Sequence, residues 1–167
     1  MLREQQSPKE IEQRQRIIEP FILSVKETIQ MMGNLPVELL SSNDPKNELA
    51  WNGVISGIIG FVGDRLTGSL ALRFDEASIL SIVSSMFMEE FREITPEVVD
   101  AVGELTNIIL GSAKKSIHEL GYQVGMAQPV VIQGSGIYLH QITEAQPTIM
   151  RYTVPNGIFL MELSFKL

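Results

Sequence analysis

The chain has 167 residues, 44% of them hydrophobic and 20% charged, a formal net charge of −7 and no cysteine. That is enough chain for one well-packed core, and the composition excludes a disordered or fibrous protein. The lack of thiols excludes a disulfide framework, a thiolate metal site and a cysteine nucleophile, and an acidic chain without a Lys/Arg stripe is not expected to bind nucleic acid.

Residues 1–16, MLREQQSPKEIEQRQR, are polar and lack the apolar run of a secretory signal. No later stretch approaches the length of about 18 unbroken apolar residues that marks a membrane span, so no membrane insertion is expected and a cytoplasmic location is the simplest reading. Residues 1–16 are expected as an N-terminal arm extending from the body, either irregular or as a loosely held helix, and residues 17–167 as a single domain. Pro20 suits the first turn of a helix in which Phe21, Ile22, Val25, Ile29 and Met32 recur at helical spacing until Gly33 and Pro36 stop it. Glu27 and Gln30, on its outer side, read as surface residues.

Val37 to Leu40 reads as a short strand, followed by the turn cluster SSNDPKN. Leu49–Val62 and Arg65–Phe74 read as the two strands of a hairpin turning at Gly63-Asp64. In LTGSLALRF, Leu66, Leu70, Leu72 and Phe74 share one face and Ser69, Ala71 and Arg73 the other, a pattern for a sheet with one face on a helical core. Glycines 53, 57 and 60 mark either bulges or a close helix contact. Asp75 to Met88 is expected as a helix capped by Asp75, with Ile79, Leu80, Val83 and Phe87 inward, and the acidic linker EEFREI follows. Thr95 to Gly121 is expected as one long helix, with Thr95 as cap, Pro96 at the first helical position and Gly121 after the last turn. Strands are then expected at Pro129–Gln133, Ile137–Gln141, Thr148–Val154 and Ile158–Phe165, the last of them a candidate edge strand. The sum is an α+β domain, a mainly antiparallel sheet packed against long helices, and an exposed strand edge suits a homodimer.

On the long helix, Val98, Val99, Val102, Leu105, Ile109, Ala113 and Leu120 fall on one side. Asp100, Glu104, Asn107, Gly111 and Lys114 fall on the other. That stripe is either an ordinary solvated face or a contact surface. Glu104 and Asn107 are three apart and can reach one target together, while Gly111 lets a partner backbone approach. Competing signatures are absent: His118 and His140 have no neighbours at metal-ligand spacing, and glycines 57, 60 and 63 lack the Lys-Ser/Thr pair of a phosphate loop. Trp51 and the methionines read as packing residues. A carboxamide donates and accepts hydrogen bonds without changing charge, so Asn107 can hold a water in line with a phosphorus atom. Glu104 can meet a lysine on a phosphorylated partner. If the partner also supplies the Mg²⁺, the chain needs no cofactor of its own.

At these residues the sequence resembles the CheC/CheX/FliY family of chemotaxis phosphatases, and within it the CheX type. The family's motif is Asp or Ser, Glu four positions later, Asn three after that, and a proline a little over twenty residues on. Asp100, Glu104 and Asn107 in DAVGELTN fit it, with the Pro129 region as an approximate match, and LTGSLALRF and GELTNIILG also resemble family segments. The similarity covers roughly residues 17–160. The resemblance implies hydrolysis of the aspartyl phosphate of a CheY-like receiver domain, with Glu104 on the receiver's lysine and Asn107 orienting the water. Asp100, Gly111 and Lys114 would belong to the partner-binding surface. A module of the same fold that binds a receiver without turnover is the alternative. Relatives with two sites would need a second motif, but Gln30 stands in place of Asn and Leu23 in place of Asp or Ser. One motif and the length favour the type that forms a homodimer by joining sheets.

Overall fold

The first helix begins where a reciprocal cap satisfies two free amides at once. In the computed structural model, which describes residues 7–42, 53–137 and 147–167, α1 spans Pro8–Gly33. The Glu10 amide donates to Ser7 Oγ (3.3 Å) and the Ser7 amide donates to Glu10 Oε2 (2.7 Å). That bond from the Ser7 backbone, and then its hydroxyl, hold the Glu10 carboxylate below its usual pKa.

The expected arm is therefore corrected at residues 8–16. They are the first turns of α1, and two of them reach the body: Arg14 lies 4.3 Å over the Phe165 ring, and Gln13 Nε2 donates to Tyr122 Oη at 2.6 Å. Pro20 lies inside this helix rather than in its first turn. Its missing amide and ring clash oppose the helix, but Ile17, Phe21, Val25 and Ile29 are all fully buried along one stripe that spans it. Burial on both sides of the proline keeps the segment continuous. Asn34, in the left-handed region at φ 48°, ends it.

Seven antiparallel strands form one sheet among the described residues: β1 (Glu38–Ser42), β2 (Ile55–Val62), β3 (Thr67–Phe74), β4 (Gly125–Met126), β5 (Val130–Gln133), β6 (Thr148–Val154) and β7 (Gly157–Lys166). The order is β1-β6-β7-β3-β2, with β4 and β5 both pairing along the outer side of β2. The β2–β3 hairpin keeps an unbroken register from Ile55↔Phe74 to Val62↔Thr67, so the glycines of β2 do not mark bulges. The C-terminal strand is corrected from a candidate edge to the middle: β7 sits between β6 and β3, and Phe159 to Phe165 are all buried. A strand buried on both faces reads as a continuous apolar run, which FLMELSFKL nearly is. Its buried charge has a partner, Glu162 lying 3.6 Å from Arg73 on β3. The expected strand at Ile137–Gln141 lies outside the described residues beyond Ile137.

Helix α2 (Glu76–Phe87) is fastened to the sheet by its cap. Asp75 Oδ1 accepts from the Ser78 amide at 2.7 Å, and Oδ2 accepts from the Ile158 amide at 3.1 Å. One carboxylate thus satisfies a helix terminus and a strand together. At its other end the Ser85 hydroxyl donates to the Gly33 carbonyl, tying α2 to the end of α1.

The third helix, α3 (Pro96–Glu119), lies over β2 at a point where no side chain fits between them. A Cβ at Gly57 would overlap Thr106 Oγ1 and stand 3.1 Å from both Thr106 Cβ and Val102 Cγ1. The close helix contact is the correct reading of this glycine. Gly57→Ala is accordingly expected to lower the unfolding free energy by about 1–3 kcal/mol, measured from urea midpoints. Adding Thr106→Ala should restore part of that loss; strictly additive losses in the double variant would exclude the contact as its cause.

Candidate functional site

The ends of α3 are set by different devices. Thr95 makes no side-chain cap bond, contrary to expectation, and the start rests on Pro96 and the Val99 amide bonding to the Thr95 carbonyl at 3.1 Å. Past the end, Gly121 at φ 90° lets its own amide reach the His118 carbonyl (2.9 Å) and the Tyr122 amide reach the Ile117 carbonyl (3.1 Å). That is the paired closure expected of a helix ending on a left-handed glycine.

Between these ends the helix is held on three sides. Val98, Val102, Leu105, Ile109 and Ala113 are buried as expected, and Ala101, Thr106, Leu110 and Ile117 join them. Val99 and Leu120 are only half-buried. The buried arc is wider than the sequence pattern because both α1 and β2 press on the helix. What remains outside is the polar stripe: Asp100, Glu104 and Asn107 are exposed, and Gly111 and Lys114 are half-buried. Glu104 and Asn107, three apart on one helix, have Cβ atoms about 5–6 Å apart. Neither is engaged in an ion pair or hydrogen bond among the described residues, so both polar ends face solvent.

Each flank of the stripe has its own wall. On the sheet side, a Cβ at Gly103 would stand 3.5 Å from Val131 of β5, and one at Gly111 would stand 4.0 Å from Met126 of β4. The half-buried Pro129 lies in sequence between those two contacts, on the connection from β4 to β5. On the other side, a cleft of about 470 Å³ opens between α3 and the last turns of α1 and α2, lined by Met32, Met86, Phe87 and Ile108, with Glu97, Asp100 and Glu104 along its polar edge. Phe87 was expected inward, but it is 52% exposed, and Ile82 takes the core position instead. Glu27 and Gln30 are exposed on α1 and do not line this cleft.

The charge here is mostly of one sign. Glu89, Glu90, Glu93, Glu97, Asp100 and Glu104 follow one another between the end of α2 and the middle of α3, with Arg92 as the one intervening cation. Arg92 is paired with Glu90 at 2.9 Å, an exposed contact of little energetic weight. The field favours an approaching cationic group. Among the described residues no three His, Asp or Glu side chains are grouped as a metal site, and no helix is long and apolar enough to cross a membrane.

This stripe lies inside the segment that matches a known family. Residues 55–153 match the family described as chemotaxis phosphatase CheX. The chain belongs to the CheX family. A curated CheX relative, the CheY-P phosphatase CheX of Thermotoga maritima, is 31% identical over 121 residues, spanning 71% of this chain and 76% of that protein. The crystal structure of the chemotaxis protein CheX from Vibrio vulnificus superposes with a TM-score of 0.84 at 33% identity, covering 90% of this chain and 99% of that one. The CheX of Borrelia burgdorferi, solved as a CheX–CheY–BeF3–Mg²⁺ complex, shares the fold with a TM-score of 0.76 at 21% identity, over 90% of this chain and 97% of that one. The layered fold expected from the sequence is thus the CheX fold.

The apolar wall of the cleft was not recognised in the sequence. The helix stops at Met88 with φ 52°, which leaves Phe87 and Met88 exposed while Met86 still packs against the core. Gly111 offers a test of the stripe's design. A Cβ there would meet only Met126 Cε, at an ordinary contact distance of 4.0 Å, so Gly111→Ala should raise stability by about 0.5–1 kcal/mol in urea unfolding. A loss of stability would show that a close contact, rather than an exposed face, accounts for the glycine.

Proposed function

We propose that this protein is a response-regulator phosphatase, hydrolysing the aspartyl phosphate of a CheY-like receiver domain through the exposed stripe of α3. The observation that carries the reading is the placement of Glu104 and Asn107. They lie side by side and uncommitted on a helix whose opposite face is immobilised in the core. The Thermotoga maritima relative is named a CheY-P phosphatase, and the Borrelia burgdorferi protein of the same fold is solved with CheY.

In this reading Asn107 enters the receiver's active site and its carboxamide orients a water toward phosphorus, opposite the aspartyl oxygen. Water oxygen bonds to phosphorus as the bond to the aspartyl oxygen breaks, giving inorganic phosphate and a free aspartate. Catalysis is then mostly positioning, which suits a neutral amide that titrates with nothing. Glu104 meets a lysine of the receiver and fixes the angle of approach, within the acidic field that draws the partner in. Asp100 and Lys114 lie beside the same contact, and Gly111 allows close approach. The Mg²⁺ is assigned to the phosphorylated receiver, and no residue of this chain is assigned to a cofactor. The protein is accordingly placed in the cytoplasm. A homodimer through the β1 edge completes the proposal, because β1 pairs only with β6 among the described residues and exposes Leu40; Leu40→Asp should shift sedimentation from dimer to monomer, and a monomeric parent protein would remove this part.

The deciding measurement is phosphate release from Mg²⁺-loaded, phosphorylated receiver domains. Asn107→Ala should reduce the rate roughly 100-fold or more while complex formation persists. Glu104→Lys should instead raise KM roughly tenfold and reduce the salt dependence of association. Binding without acceleration by the unaltered protein would reassign it as an interaction module.

A further inference from the structure

The cleft beside the stripe is not explained by water positioning. Its apolar wall is made by the terminal turns of two helices, where α1 contributes Met32 and α2 contributes Met86 and Phe87, and Ile108 adds to it from α3. Phe87 is 52% exposed and Ile108 and Met32 are each 37% exposed, enough apolar surface to reward a partner for covering it. Phe87 also packs tilted against Phe91, ring centroids 5.9 Å apart, and the Ser85–Gly33 bond ties the two terminal turns together. The cleft is therefore held open by structure rather than left by a loose end. Methionine side chains on its wall can adapt to the shape of what enters.

Two features restrict the occupant. First, Asp100 and Glu104 belong both to the polar stripe and to the cleft's edge, so whatever docks on Glu104 covers the cleft as well. Second, the charged residues that line the cleft, Glu97, Asp100 and Glu104, are all carboxylates. A second copy of this acidic chain would bring like charge against like. The complementary surface is an apolar side chain flanked by lysine or arginine.

We propose that this cleft is a specificity subsite, which receives an apolar side chain of the receiver domain, next to basic residues, while Glu104 and Asn107 engage the phosphorylated centre. The inference rests on the receiver-phosphatase reading and adds which receivers are chosen. Asn107 governs the chemical step; the cleft governs affinity for one receiver over another. Burial of an apolar anchor inside a charged rim is the arrangement from which interfaces draw most of their discrimination.

The test uses the full chain and a panel of receiver domains, Mg²⁺-loaded and phosphorylated with an acyl phosphate donor. Met32→Ser and Ile108→Ser are measured on the receiver turned over fastest, alongside Ile11→Ser, which removes an apolar residue exposed to 45% on the first turns of α1. The expected result is a roughly tenfold or greater rise in KM for the two cleft variants, with kcat nearly unchanged and KM for Ile11→Ser as in the parent. The ranking of receivers should also flatten. Thermal unfolding midpoints matching the parent's confirm that folding is intact, and Met32→Leu, which keeps the apolar wall, should restore the parent KM.

Unchanged KM and ranking in both cleft variants, with turnover still abolished by Asn107→Ala, overturns the subsite and leaves the phosphatase reading standing. Receiver binding that weakens in the cleft variants without any turnover by the parent supports the subsite and overturns the catalytic reading. Neither binding nor turnover with any receiver overturns both.

Discussion

The contact between Gly57 and Thr106 is the constraint on which the geometry of this protein depends. It allows α3 to lie directly against β2, with no side chain acting as a spacer. Thr106 is fully buried and its hydroxyl donates to the Val102 carbonyl at 2.7 Å, so a polar group enters this tight place with its hydrogen bond satisfied within the helix. The same turn of helix carries Glu104 and Asn107. Seating Thr106 on the strand therefore fixes the rotation of the turn that presents them to solvent.

That arrangement suits a site that must be stiff and yet exposed. A loop could present the same two side chains, but a buried helix limits their freedom to rotamers on a fixed backbone. The rigidity is supplied from several directions: Phe21 and its stripe on α1, the β2 strand beneath, and the glycine closure beyond Glu119. Arg65, from the turn before β3, donates to the Gly121 carbonyl and lies 5.3 Å over the Tyr122 ring. Gln13 of α1 holds the same tyrosine by its hydroxyl. The far end of α3 is thus fastened to both layers of the fold, while its first half borders the open cleft.

Legibility from the sequence followed how local each determinant was. The hairpin, α2 with its Asp75 cap, and α3 with its closing glycine are written in adjacent residues and lie close to where periodicity and turn chemistry place them, although β2 begins at Ile55 and residues 49–52 of its expected strand lie outside the described residues. The position of β7 was not legible, because strand order depends on pairings between distant segments, and the charged Glu162 in its run concealed a buried partner in Arg73. The start of α1 failed for a different reason. Ser7 and Glu10 form a local signature, but Pro20 offered a competing start, and the stripe buried on both sides of it decided the outcome. Phe87 was misplaced because its periodicity points inward, whereas α2 ends before the core reaches it. At the site, the polar stripe was visible as a pattern, while the apolar wall beside it is assembled from three helices and has no pattern in any one of them.

The composition of the stripe has a further consequence for how such a protein can work. Glu104 and Asn107 supply no nucleophile, no pair of titrating groups poised at different pKa values, and no metal site. A small phosphorylated molecule in solution would need its charge neutralised and its reacting atoms oriented by the protein that acts on it. In the proposed reading this chain acts on a partner that already holds the phosphoryl group in a prepared pocket. Selectivity must then come from the protein–protein contact as a whole, and the observed surface is divided accordingly, with a neutral amide at the stripe's centre, carboxylates along its edge, and apolar side chains clustered to one side.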